Sequence, residues 1–146
     1  GEPVAVRNMG DGAGTAAAGF VARADDHHLL LSGDAALAVR VSMAPPLPYD
    51  PQRDLEPITF LATAPNLLVV APSGPPSFEA LAALARARPP LRFGHAGEGT
   101  SQHLGGEMLA QALGVPMQGA ALGDPGVVFA ALAAGEVAFS FNNVAS

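Results

Sequence analysis

The sequence predicts an α/β protein with a largely parallel sheet, and three observations carry that prediction. Short apolar stretches of strand length, such as NLLVVA and LRFGHA, alternate with longer stretches of helical periodicity. Helix start and stop signals fall between them: Ser77, Thr100 and Asp124 stand ahead of helical patterns, and Pro89, Gly114 and Gly135 stand behind them. The order helix–strand–helix then repeats through the second half, an alternation that lays consecutive strands parallel with helices packed on the sheet.

The elements follow in order. Residues 12–24, GAGTAAAGFVARA, predict an alanine-rich helix that begins near Thr15 or an earlier glycine. HHLLLS, 27–32, predicts a strand. Residues 44–57 carry five prolines, which exclude helix interior and central strand. ITFLAT and NLLVVAP follow as two predicted strands divided by APN. Ser77 caps a helix over 78–88, with Glu79 in its first turn and Arg86 and Arg88 in its last, where each charge complements the helix dipole. LRFGHA predicts a strand, and from Thr100 to Leu113 the apolar positions 104, 108, 109, 112 and 113 share one helical face. Asp124 and Pro125 open a helix to Ala134 as cap and first turn, and EVAFSF is the last predicted strand.

Composition excludes several function classes. Apolar residues make up 49% of the 146 and charged ones 14%, which excludes a disordered chain. Apolar runs fall well short of the roughly 18–20 residues that cross a bilayer, so direct membrane insertion of this segment is not expected. Cysteine is absent, and with it disulfides, thiolate metal sites and cysteine nucleophiles. All seven basic residues are arginine, so Schiff-base chemistry and a phosphate-loop lysine are excluded. A net charge of −6 argues against nucleic acid, whose phosphates require a clustered basic face. The chain begins without methionine and stops directly after a strand, as expected of a mature or excised segment.

The stretch RFGHAGEGTSQHLGGEML, 92–109, leaves a strand through glycines, a Thr-Ser pair and a histidine before it enters a helix. In open α/β sheets, ligands bind outside the carboxyl ends of strands, where such loops lie. Gly97 and Gly99 are expected to turn the main chain with positive φ and present its N–H groups. Thr100 and Ser101 add hydroxyls at the helix start, where the first N–H groups lack internal partners and the dipole is positive. The combination suits a carboxylate or another small anion, although a tight turn capped by Thr100 accounts for the same residues without a ligand. The loop is neither a Walker loop nor a dinucleotide fingerprint, so no cofactor is expected. A Ser101–His103 catalytic pair is disfavoured because residues two apart on a helix point in different directions, and a metal site on His95 and His103 would need a third ligand the sequence does not place. Asn142 and Asn143 end the last predicted strand on the same carboxyl edge as the loop, as ligand contacts or as turn residues.

Three ordered stretches, LPYDPQRDLEPITFLATAPNLLVVAPS, LRFGHAGEGTSQHLGGEML and GEVAFSFNN, resemble the Bug family, the periplasmic solute-binding components of tripartite tricarboxylate transporters. The family pattern Leu-Pro-Tyr-Asp-Pro fits at 47–51, and Asp-aromatic-x-Pro fits at 54–57 with Leu55 in place of the aromatic residue. Gly-x-Gly-Thr-x-x-His fits fully at 97–103. The last motif is looser, with Asn142 where the family carries aspartate, and PMQGAALGD lacks the tyrosine and lysine expected near 116–123.

The resemblance implies a truncated type II periplasmic-binding-protein fold with three-layer α/β/α lobes, residues 1–73 forming part of lobe one and 74–146 most of lobe two. It implies capture of a small carboxylate-bearing solute in an interlobe cleft, delivery to membrane permease subunits, a periplasmic location and no enzymatic activity. Ligand contacts are expected from Gly97, Gly99, Thr100, Ser101, His103, Asn142 and Asn143 in lobe two, and from Ser32 and Asp34 in lobe one. With no lysine nearby, the main-chain N–H groups of Gly99, Thr100 and Ser101 and the Thr100 and Ser101 hydroxyls are the expected donors. An alternative is a ligand sensor or scaffold subunit that uses the same fold to bind a partner, which neighbouring permease or histidine-kinase genes would distinguish.

Overall fold

A computed structural model describes residues 2–43 and 45–143. The chain divides into two compact units, Gly1–Phe60 and Leu61–Ser146.

The first unit is built around small residues and one tyrosine. Helix α1, Thr15–Val21, starts after Gly14, whose φ of 88° lies in the left-handed region open to glycine. Ala18 and Ala36 are fully buried against Tyr49, whose hydroxyl donates to the Ala36 carbonyl at 2.7 Å. The proline-rich segment that carries Tyr49 is held by its aspartates: Asp50 N–H donates to Asp54 Oδ2 at 2.8 Å, and Gln52 N–H donates to Asp50 Oδ1 at 3.0 Å. A π-helical turn, Ala35–Val39, and a 3-10 turn, Arg40–Ser42, complete the unit.

Two predicted strands do not form. Residues 27–32 and 58–63 hold no strand, and Leu29, Leu31, Ile58 and Phe60 are each at least three-quarters exposed. Their composition suits a sheet, but a strand exists only through a paired neighbour. Among the described residues the first unit therefore lacks the sheet expected of a three-layer lobe.

The second unit supplies the α/β architecture. Its strands are β1 (Asn66–Val69), β2 (Leu91–His95), β3 (Met117–Ala121) and β4 (Phe139–Asn143), in the order β1-β4-β2-β3. β2 runs parallel to both β3 and β4, while β1 is antiparallel to β4, so the sheet is mixed. Strand β1 falls within the 1–73 segment of the sequence reading and pairs in the sheet of the second unit. Strand β3 has no sequence signal, since MQGAA contains no β-branched or aromatic residue; its pairing with β2 makes it a strand.

The three helices form where the caps predict. Ser77, Thr100 and Asp124 each accept a main-chain N–H at the starts of α2 (Phe78–Ala87), α3 (Ser101–Leu113) and α4 (Pro125–Ala134). Helices α2 and α3 share a core with Leu91, Phe93 and Phe139 on one face of the sheet. Helix α4 buries Val128, Ala131 and Leu132 with Val137, and Val128 lies against Gly94 on the other face. Helix α3 comes very close to the sheet because Gly105 and Gly106 have no side chains. A Cβ on Gly105 would stand 2.8 Å from the Phe141 ring, and one on Gly106 would collide with the edge of the Phe93 ring. That approach sets the start of α3 directly above the carboxyl ends of β2 and β4.

Candidate functional site at the carboxyl edge of the sheet

Strand β2 ends at His95, and the chain reaches α3 in five residues, 96–100. Gly99 takes φ +79°, which explains the glycine at that position. Gly97 does not adopt positive φ, and a Cβ there would meet open space. Only one of the two loop glycines is therefore demanded by the backbone. Thr100 closes the turn twice: its hydroxyl donates to the Gly97 carbonyl at 2.6 Å, and the same oxygen accepts the His103 N–H at 3.3 Å.

The main-chain donors sort into two groups. Gly99 N–H donates to Nδ1 of His103 at 3.2 Å, and Thr100 N–H donates to the Gly97 carbonyl at 3.3 Å. Both belong to the expected donor set and both are used inside the loop. Among the described residues the N–H groups of Gly97, Ser101 and Gln102 have no protein acceptor. The last two occupy the first turn of α3, where the helix dipole adds positive potential.

Behind the loop lies a buried polar network that the sequence did not reveal. Gln102, only 7% exposed, accepts the Ala96 N–H at 2.8 Å and donates through Nε2 to Oδ1 of Asn142 at 3.4 Å. Asn142, 3% exposed, donates to the Ser140 hydroxyl at 3.0 Å, and that hydroxyl donates to the Gly94 carbonyl at 2.8 Å. Asn142 thus stands at the predicted edge with its amide committed to protein partners. Asn143 is half-buried and is opposite Asn66 in the β1–β4 ladder; Asn66 Oδ1 accepts from the Ser101 hydroxyl at 3.5 Å. Asn66 is a second polar residue that sequence reasoning missed. It sits in the APN stretch between two predicted strands, and nothing there announces the antiparallel pairing that brings it beside Asn143.

His103 turns its ring inward from α3. Its centroid lies 4.6 Å from that of His95, and Nε2 is 3.7 Å from Oε1 of Glu107. His95 is 3% exposed with Nδ1 buried and unpaired, and Gly119 leaves room for the ring beside β3. Burial holds the His95 imidazole below its ordinary pKa; the neighbouring His103 adds to that shift, while the Gly97 main chain, Glu98 and Glu107 oppose it. His103 is engaged in positioning Gly99.

The remaining candidates, Ser32 and Asp34, lie in the first unit. Ser32 Oγ donates to the Gly33 carbonyl at 3.3 Å, and the exposed Asp34 precedes the π-helical turn without capping it.

A loop that presents neutral N–H donors at a helix start, on the carboxyl edge of parallel strands, is suited to a small anion and offers no nucleophile–base pair. The whole chain, residues 1–146, matches the sequence profile described as the tripartite tricarboxylate transporter family receptor. A Pseudomonas sp. protein described as the UPF0065 protein in the tcbD-tcbE intergenic region is 36% identical over 127 residues, which cover 82% of this chain and 38% of that relative. Among solved structures, an R. palustris protein with adipate is 29% identical with a TM-score of 0.83, matching 90% of this chain and 46% of its own. MatC from Rhodopseudomonas palustris with bound malate is 28% identical with a TM-score of 0.76, matching 89% of this chain and 46% of its own. The chain therefore spans less than half the length of these relatives. These likenesses fix the α/β periplasmic-binding-protein fold, and the chain belongs to the tripartite tricarboxylate transporter receptor family, a family of binding receptors.

Proposed function

We propose that this chain is part of a periplasmic receptor that captures a small carboxylate-bearing solute and delivers it to the membrane permease subunits of a tripartite transporter. The observation that carries the reading is the start of α3, where the Ser101 and Gln102 N–H groups meet no acceptor among the described residues and the loop before them is internally braced. An anion there is met by fixed dipoles that need no reorganisation, and an acidic protein can hold it because local donors, not net charge, set the interaction. The bound solutes of the two structural relatives, adipate and malate, are dicarboxylates, which suggests the ligand class. Gly97, Thr100, Ser101 and Asn143 are proposed as solute contacts from the second unit, and Ser32 and Asp34 as solute contacts from the first.

A thermal-shift screen of the full-length receptor against dicarboxylates, tricarboxylates, amino acids and aromatic acids tests this. A solute that binds only the native state at 100 times its Kd stabilises by about 2.7 kcal/mol. Adipate, malate or a close analogue is expected to raise the melting temperature. A melting temperature that no carboxylate-bearing solute in the screen raises would overturn the proposal.

A further inference from the structure

We infer that Gln102 is a positioning residue for solute capture, fixing the 96–101 loop against the carboxyl end of β4 through Ala96 and Asn142. The inference rests on the solute-binding reading above and assigns a role to a buried side chain whose amide is bonded to Ala96 and Asn142.

The polarity of the network is determined from its ends. A main-chain N–H can only donate, so Gln102 must present Oε1 to Ala96. Its Nε2 then faces Asn142, which must present Oδ1 and is left to donate through Nδ2 to the Ser140 hydroxyl. The hydroxyl passes the polarity on to the Gly94 carbonyl. The path leaves the end of β2 at Ala96, crosses α3 and β4, and returns to β2 at Gly94. Flipping the Gln102 amide would set donor against donor at Ala96, and flipping the Asn142 amide alone would do the same at Gln102. Gln102, Asn142 and Ser140 are all buried, where an unmatched polar atom finds no water.

The consequence falls on the groups that face a solute. Gln102 is in the first turn of α3, and its own N–H and that of Ser101 are the helix-start donors without an acceptor among the described residues. Tying its side chain to both β2 and β4 fixes the direction of those donors before a solute arrives, which removes part of the ordering cost of binding. Leucine at 102 keeps the volume and loses both hydrogen bonds. Glutamate keeps an acceptor for Ala96 and loses the donor to Asn142, whose amide can then turn, because Ser140 is able to donate as well as accept.

The test uses the full-length receptor with adipate and malate as probes, measuring Kd by calorimetry, Tm, and amide exchange at Ala96 and at Leu109 in the body of α3. Gln102→Leu is expected to weaken the bound dicarboxylate at least tenfold and to speed Ala96 exchange at least tenfold, with Tm lowered, because Ala96 N–H and Asn142 Oδ1 lose their partner, and with Leu109 exchange changed much less than that of Ala96. Asn142→Leu added to Gln102→Leu should weaken binding no further, since the path is already cut. Gln102→Glu should restore slow Ala96 exchange. Wild-type affinity in Gln102→Leu, or additive losses in the double variant, would overturn the inference while leaving the receptor reading intact. If the wild-type receptor binds neither probe, the receptor reading fails instead, and slow Ala96 exchange that Gln102→Leu accelerates would still establish the tie between loop and strand.

Discussion

Asn142 shows how much a residue's meaning depends on what lies behind it. The family aspartate replaced here by asparagine leads a sequence reading to expect a residue that selects among solutes. In the structure its amide is 3% exposed, accepts from Gln102 and donates to Ser140. A carboxylate there must be desolvated and cannot donate, and leaving buried polar groups mismatched costs about 1–3 kcal/mol, more for a charged one. Asn142→Asp is therefore expected to lower the unfolding free energy by at least that amount in denaturant titrations, and to weaken all carboxylate solutes by a similar factor. A change in solute ranking at unchanged stability would show instead that the side chain reaches the ligand. The neighbouring lessons are of the same kind. Thr100 was legible as a cap because its partner is three residues away, as was the φ of Gly99. Gln102 and Asn66 were not legible, because their partners lie 40 and 35 residues away, and no local pattern encodes such a hydrogen bond.

At the scale of elements, the helices of the second unit were readable because start and stop signals are local chemistry, and the structure places α2, α3 and α4 within a residue or two of the expected bounds. Strands were readable only where a partner is present. The leucines at 29–31 and the ITFL stretch have strand composition and no ladder, whereas the unpromising MQGAA became β3 through its register with β2. Helix α3 carries a further constraint that its periodicity hid. Two consecutive glycines lower helix propensity by about 1 kcal/mol each relative to alanine, so a helix-propensity argument predicts that Gly106→Ala stabilises. Packing argues the reverse. The new methyl would collide with the edge of the Phe93 ring, which is fully buried and stacked on Phe139 at 5.5 Å. Overpacking of this kind costs typically 1–3 kcal/mol, and it exceeds the propensity gain. Gly106→Ala is expected to lower Tm and, by lifting the start of α3 off the sheet, to weaken solute binding. A raised Tm would mean that the helix tolerates a wider separation than the Phe93 contact implies.

At the scale of the whole molecule, the arginines of the second unit stand apart from the proposed solute site. The chain carries a net charge of −6 and no lysine. The arginines of residues 61–146 are Arg86, Arg88 and Arg92, at the end of α2 and the start of β2, so the topology puts them at the edge opposite the 96–101 loop. Arg92 reaches the Glu136 carbonyl at 3.4 Å, just ahead of β4, which fixes its direction away from that loop. In the proposed site the donors are main-chain N–H groups and hydroxyls, whose short-range dipoles are screened far less by salt than a pair of exposed charges. The family resemblance and the fold were legible at this scale, but this separation of charge from site emerges only once the strand order is known. It yields a prediction for the full-length receptor. Raising sodium chloride from about 10 mM to 150 mM shortens the Debye length from roughly 30 Å to 8 Å, which screens the repulsion between an acidic protein and a dicarboxylate. Affinity for adipate or malate, measured by calorimetry across that range, is expected to hold constant or rise by a few fold, with the gain in the association rate. A tenfold or steeper fall would require a cation in contact with the solute, and the start of α3 would then be only the orienting half of a site whose main attraction comes from an arginine or lysine elsewhere in the receptor.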